Sequence, residues 1–126
     1  MRLNKSEFKE VPIYSEKIWN ETGIEIHDGD EYLFEASGEW KDLRKKTDAD
    51  GYSNLYMSLF NKFKRSKNNK WFALIGSLNM TDSFLIGTCI QISFQKAGIL
   101  FCFANDIHSF YWNNSGYVIL RITRVK

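Results

Sequence analysis

Alternation of apolar and polar side chains marks the clearest segments of this chain. In Tyr32-Leu33-Phe34-Glu35-Ala36-Ser37, the side chains of Tyr32, Phe34 and Ala36 share one face, the period of a half-buried strand. Ile24-Glu25-Ile26 alternates in the same way, and His27-Asp28-Gly29-Asp30 between the two predicts a hairpin turn. Val11–Ser15 predicts a short strand, with Pro12 assigning it to a sheet edge because proline donates no ladder hydrogen bond. Lys17–Glu21 reads as a turn or a single helical turn carrying Trp19, and Gly38 allows a bend after Ser37. The runs Trp71–Leu78, Phe84–Phe94, Gly98–Ala104 and Tyr117–Val125 predict strands, punctuated by Gly76, Gly87, Gly98 and Gly116. Residues 41–54 read as a polar loop closing at Asp50-Gly51. Leu55–Phe63 fits a helix through Leu55, Leu59, Phe60 and Phe63, or else a strand, and Lys64–Lys70 is a basic loop. Short strands with few helices predict an all-β antiparallel sandwich or barrel.

Composition supports this picture. The 126 residues match one domain of the commonest size, roughly 100–150 residues, so a single domain spanning 1–126 is expected. The chain is 44% hydrophobic and 25% charged, as globular proteins are, and its 16% aromatic content favours strands. No window approaches the roughly 20 apolar residues of a membrane span. The charged start MRLNKSEFKE has no apolar signal region, so a cytoplasmic protein is expected, with non-classical export left open.

Charge is sharply partitioned. Residues 1–40 hold four Lys/Arg against ten Asp/Glu, whereas residues 41–70 hold nine against three. The basic block could meet a phosphate-rich partner, or be two solvated loops that keep strand edges from aggregating. It lacks the interleaved aromatics of single-strand binders, so nucleic acid is not the expected partner. Cys89 and Cys102 sit in apolar runs with no C-x-x-C and no zinc spacing, and are expected as buried free thiols, a cross-strand disulfide being the other arrangement.

Candidate chemistry gathers in Asn105–Gly116, between the last two strands. Asp106 and the pair Asn113-Asn114 bracket a stretch long enough to curl back and aim a carboxylate, two amide oxygens and backbone carbonyls at one point. Oxygen donors of this kind suit calcium, which takes about 6–8 of them in irregular geometry. The same residues also suit an Asn-rich turn whose side chains bond their own backbone.

The stretch Ala73–Ile122 resembles the bacterial PA-I-type galactophilic lectins, calcium-dependent galactose-binding proteins. The matching residues are Ala73-Leu74-Ile75, Gly87-Thr88, Gly98-Ile99-Leu100 and, most specifically, Asn105-Asp106 followed by Asn113-Asn114-Ser115-Gly116. Thr22-Gly23-Ile24, Gly29-Asp30 and Ala36-Ser37-Gly38 follow in family-like order. The resemblance implies a galactose-binding-domain-like jelly-roll β-sandwich of about eight strands. It further implies that Ca2+ is held by the side chains of Asp106, Asn113 and Asn114 and by the backbone carbonyls of Phe110 and Asp42. Two vicinal sugar hydroxyls would complete the shell, bonded by Asp106 and Asn113. The family's sugar-reaching histidine and glutamine have no recognisable counterpart, and Thr47 and Asp50 stand nearest to them.

Phe110-Tyr111-Trp112 occupies the loop tip where the family carries smaller residues. Phe110, Tyr111 and Trp112 are candidates for stacking on a sugar face or for a protein-binding patch, one or two of them otherwise folding inward to anchor the loop. His108 is a candidate for bonding a ligand hydroxyl, or a solvent-exposed loop histidine. Trp40 and Trp71 are expected in the core. No G-x-S-x-G, P-loop or dinucleotide fingerprint occurs, and Asp106, His108 and Ser109 are too close in one loop for triad geometry, so no enzymatic activity is expected. The expected function is calcium-dependent carbohydrate recognition, with galactose or a galactoside first among sugars. The competing expectation is a non-catalytic protein-interaction module, such as an immunity or assembly protein, which would bind a protein partner or a second copy.

Overall fold

The computed structural model describes residues 1–126. The elements in order are β1 (Phe8–Tyr14), β2 (Asn20–Ile26), β3 (Glu31–Ser37), β4 (Trp40–Asp42), β5 (Lys45–Thr47), the 3-10 helix η1 (Tyr56–Phe63), β6 (Leu74–Leu78), β7 (Asp82–Leu85), β8 (Cys89–Ser93), β9 (Gly98–Ala104), the 3-10 helix η2 (His108–Asn113) and β10 (Asn114–Arg124). Neither helix is long and apolar enough to cross a membrane.

All pairings are antiparallel, and they nest. β1 pairs with β10, β2 with β9, β3 with β8 and β6 with β7. β3 and β4 run against β10 in one continuous register, Ser37 opposite Ile119 and Trp40 opposite Gly116, with Gly38 bending the ribbon between them at φ 94°. β5 then extends the β4 side. The result is a jelly-roll sandwich, one sheet ordered β1-β10-β3-β8 with β4 and β5 continuing it, the other β2-β9-β6-β7.

Inward-facing positions of both sheets fill the core. Ile24, Ile26, Tyr32, Phe34, Trp40, Leu74, Leu100, Cys102, Val118, Leu120 and Ile122 belong to one buried cluster of 19 residues. Tyr32 and Phe34 share a face as their spacing predicts, and Trp40 and Trp71 are buried. Trp40 Nε1 donates to Phe72 O at 3.1 Å, so the polar edge of the ring is satisfied inside the core. A second cluster, Ala73, Ile75 and Phe103, packs under Trp19 on the outer face of the β6–β9 pair. Gly51 is irreplaceable by local geometry. Its φ is 78°, and an added Cβ would stand 2.3 Å from Trp71 O.

Several local expectations are corrected. The Phe84–Phe94 run is not one strand. The chain leaves β7 at Leu85 and crosses to the opposite sheet as β8, with Thr88 N held by Asp50 Oδ1 at 2.8 Å. The His27–Asp30 turn likewise joins two sheets rather than two hairpin partners. Its Asp30 is buried and accepts Arg2 Nη2 at 2.6 Å and His27 N at 3.0 Å, with Arg124 Nη2 at 3.5 Å. Residues 41–54 include the end of β4 and all of β5. Cys89 is exposed rather than buried; Cys102 is buried, and both are free thiols.

Candidate functional site

The Asp106 loop is held by neighbours far away in sequence. Asn105 is fully buried and acts as a clamp. Its Nδ2 donates to Ser66 O (2.8 Å) and Lys70 O (3.0 Å), and its Oδ1 accepts Ser66 N (2.9 Å). Phe72 N donates to Asn105 O at 2.7 Å, and Arg65 N to Asp106 O at 3.1 Å. The loop is thus stitched to the basic segment 64–70 on one side. On the other side, Asn114 opens β10 opposite Asp42, and Leu43 N donates to Asn113 O at 3.1 Å.

These constraints carry Asp106, Asn113 and Asn114 to the junction of β4, β9 and β10. Asp106 and Asn114 are buried and Asn113 is half-buried. Asp106 Oδ1 accepts Ile107 N at 2.7 Å, whereas its Oδ2 receives no donor. Asn114 Nδ2 donates to Ser15 O at 2.9 Å, and its buried Oδ1 is left without a donor. Asn113 Oδ1 is also buried and unmet. Only five buried side-chain polar atoms in the chain lack a partner, and three of them are these oxygens. A buried acceptor left unmet costs about 1–3 kcal/mol, so three together call for a donor or a cation.

Electrostatics agree with that demand. Burial pushes the Asp106 carboxyl up to about 6, with the nearby Asp42 charge adding to the rise, against the lowering effect of the Ile107 N–H; the Asn114 amide lies close enough to ease the carboxylate slightly but makes no hydrogen bond to it. Asp42 has its own partner, since Tyr52 Oη donates to its Oδ2 at 2.7 Å. Burial and this carboxylate in turn raise the Tyr52 phenol. The donor set is one carboxylate and two neutral amides, with a second carboxylate beside them. It contains oxygen only and fits calcium better than zinc or copper.

The aromatic tip divides. Phe110 and Trp112 face solvent, Trp112 being 79% exposed. Tyr111 does not: of the two alternatives open to it, stacking on a sugar or anchoring the loop inward, it takes the second. It is buried, its hydroxyl donates to Ala104 O and accepts from Arg65 Nη1 at 2.9 Å, and burial pushes its phenol up to about 12. His108 is exposed at the start of η2, and Phe110 lies in the middle of that helix. Asp50 is drawn elsewhere: both carboxylate oxygens accept from Thr88, from N at 2.8 Å and Oγ1 at 3.0 Å, so it braces the β7–β8 crossing.

The basic block is not the free charged face its composition suggests. Arg65 stacks 3.5 Å from the Phe103 centroid and 4.5 Å from that of Trp19, and donates to Ile18 O at 2.6 Å. Lys64 is buried, with Nζ donating to Asn69 O at 2.6 Å. Sequence reasoning missed Tyr52 and Ser15 as supports of the site and the clamping role of Asn105, since their partners lie 10 to 99 residues away.

No family model matches the chain, and no curated protein matches it. Among solved structures, the chain is similar to the EclA N-terminal domain, described as a PllA-like lectin. The TM-score is 0.73 over 91% of this chain and 94% of that one, at 17% sequence identity. The two share one fold. The likeness runs nearly end to end.

Proposed function

We propose that this chain is a non-catalytic carbohydrate-binding protein whose ligand site is built on calcium. The observation that carries this reading is the trio of unmet buried oxygens, Asp106 Oδ2, Asn113 Oδ1 and Asn114 Oδ1, in a lectin-like sandwich. These side chains would hold the ion, with the carbonyls of Phe110 and Asp42 as further donors. Calcium, when bound, supplies coordination positions that two vicinal sugar hydroxyls complete. Asp106 and Asn113 would bond those hydroxyls, and Trp112 would shield them from water. Arg65, Tyr111 and Asn105 hold the loop in place before ligand arrives, which lowers the ordering cost of binding. A galactoside is the first sugar to test.

The test is calorimetric titration with calcium, then with galactose in saturating calcium. Heat in both steps for the wild type, and none for Asp106→Ala, supports the reading. Absence of calcium heat in the wild type overturns it. A second reading, a protein-interaction module on the same scaffold, draws on η1 and the residue before it, where Leu55, Tyr56 and Leu59 are all more than three-quarters exposed. Sedimentation that detects a dimer, lost on Leu59→Glu, would favour a second copy as the partner.

A further inference from the structure

Beside the Asp106 loop lies a groove of about 460 Å³, lined by residues drawn from 52–61 and 64–71. Its two walls meet where Tyr52 N donates to Trp71 O at 2.8 Å and Trp71 N to Tyr52 O at 3.0 Å. Three lysines, Lys64, Lys67 and Lys70, line it together with Asn and Ser side chains, and no carboxylate does. None of the three lysines makes a salt bridge anywhere in the chain. Lys64 is buried all the same, which lowers the pKa of its ammonium, and it sits 5.0 Å from the Trp71 ring centroid. Trp71, also in the lining, keeps a buried indole N–H with no acceptor. The groove therefore holds donors and positive charge in excess, the inverse of the acceptor-rich site at Asp106.

The two sites adjoin. Lys64 forms a β-bridge with Ile107, and its neighbour Arg65 donates its N–H to Asp106 O. Tyr52 lines the groove and bonds Asp42, which faces Asn114 across the β4–β10 ladder. We propose that the groove binds the acidic group of an anionic saccharide, a carboxylate or a sulfate. This rests on the carbohydrate reading of the Asp106 site for the placement of the sugar hydroxyls. Charge-assisted bonds from Lys67 and Lys70 hold the anion, while the Asn and Ser side chains bond neighbouring hydroxyls. Trp71 is too buried to stack on a base, which separates this groove from a single-strand nucleic-acid channel.

The test titrates the whole chain with galactose, galacturonate, galactose 6-sulfate and sodium sulfate, each in calcium and in chelator. Both acidic sugars should bind at least about tenfold tighter than galactose, as expected for one or two charge-assisted contacts. The Lys67→Gln/Lys70→Gln variant should lose that preference while keeping the wild-type melting temperature, since both side chains are exposed. Equal affinity for acidic and neutral sugars overturns the proposal. So does a preference that survives the double variant, sodium sulfate matching the acidic sugars, or binding of no sugar in either condition. Lysine-dependent binding of galacturonate that persists in chelator would uphold the groove and sink the calcium reading. Calcium-dependent galactose binding with no gain for the acids would do the reverse.

Discussion

Arg65 sits over Phe103, its guanidinium carbon 3.5 Å from the ring centroid, on the outer face of the β6–β9 pair. The same side chain reaches Ile18 O and Tyr111 Oη, so one arginine joins the chain before β2, the second sheet and the Asp106 loop. Arg65→Ala should cost about 2 kcal/mol, from cation–π contacts and hydrogen bonds from a charged donor. Lys62→Ala, at an exposed neighbour, should stay within about 0.5 kcal/mol of wild type. Urea unfolding of the two variants checks the contrast, and equal costs would refute it.

Calcium should raise the melting temperature. Binding to the native state alone adds RT ln(1 + [L]/Kd), about 2.7 kcal/mol at a hundredfold excess over Kd. Asp106→Asn should abolish the increment, yet in chelator it should melt no lower than wild type, because it removes a buried charge that lacks a full set of donors. Scanning calorimetry of both proteins with and without calcium measures this. Superimposable wild-type scans would refute it.

The tip residues should separate binding from stability. Trp112→Ala is expected to weaken sugar binding about tenfold, by analogy with aromatic stacking on bases, and to leave stability unchanged because the ring is exposed. Tyr111→Phe should instead destabilise by about 1–3 kcal/mol, since Arg65 and Ala104 O each lose a partner. Loss of stability in Trp112→Ala would contradict the assignment.

Acid should find Asp30. Burial raises its carboxyl pKa, but the hydrogen bonds from Arg2 and His27 N and the charge of Arg124 outweigh that, and the folded value lies below the ordinary 3.8. The unfolded chain therefore binds the proton first as pH falls. Asp30 contributes its full stabilisation above about pH 4, which disappears as pH drops through the depressed folded value. Asp30→Asn should be less stable at neutral pH and flatter below pH 4. Parallel pH profiles for the two proteins would refute this.

Much of the architecture is legible in the chain because side-chain alternation is a local property. β9 runs Gly98–Ala104 as its pattern predicts, and Tyr32 and Phe34 of β3 enter the core together. Asp106, Asn113 and Asn114 are named by type and spacing, and Trp40 and Trp71 by bulk. Which strand meets which, and what satisfies each polar atom, depends on residues brought together from far apart. Phe84–Phe94 is interrupted in sequence only at Gly87, and the packing of two sheets, with Asp50 gripping Thr88, shows that it changes sides there. β5 has no apolar pattern, and only its ladder with β4 makes it a strand. Arg65 and Lys64 look like solvated charge in sequence, yet the fold gives them aromatic faces and carbonyls that replace water. Composition and periodicity determined an all-β chain with an oxygen-rich loop; tertiary contacts decided that three of those oxygens are buried without donors, because burial is a sum over neighbours that no local pattern carries.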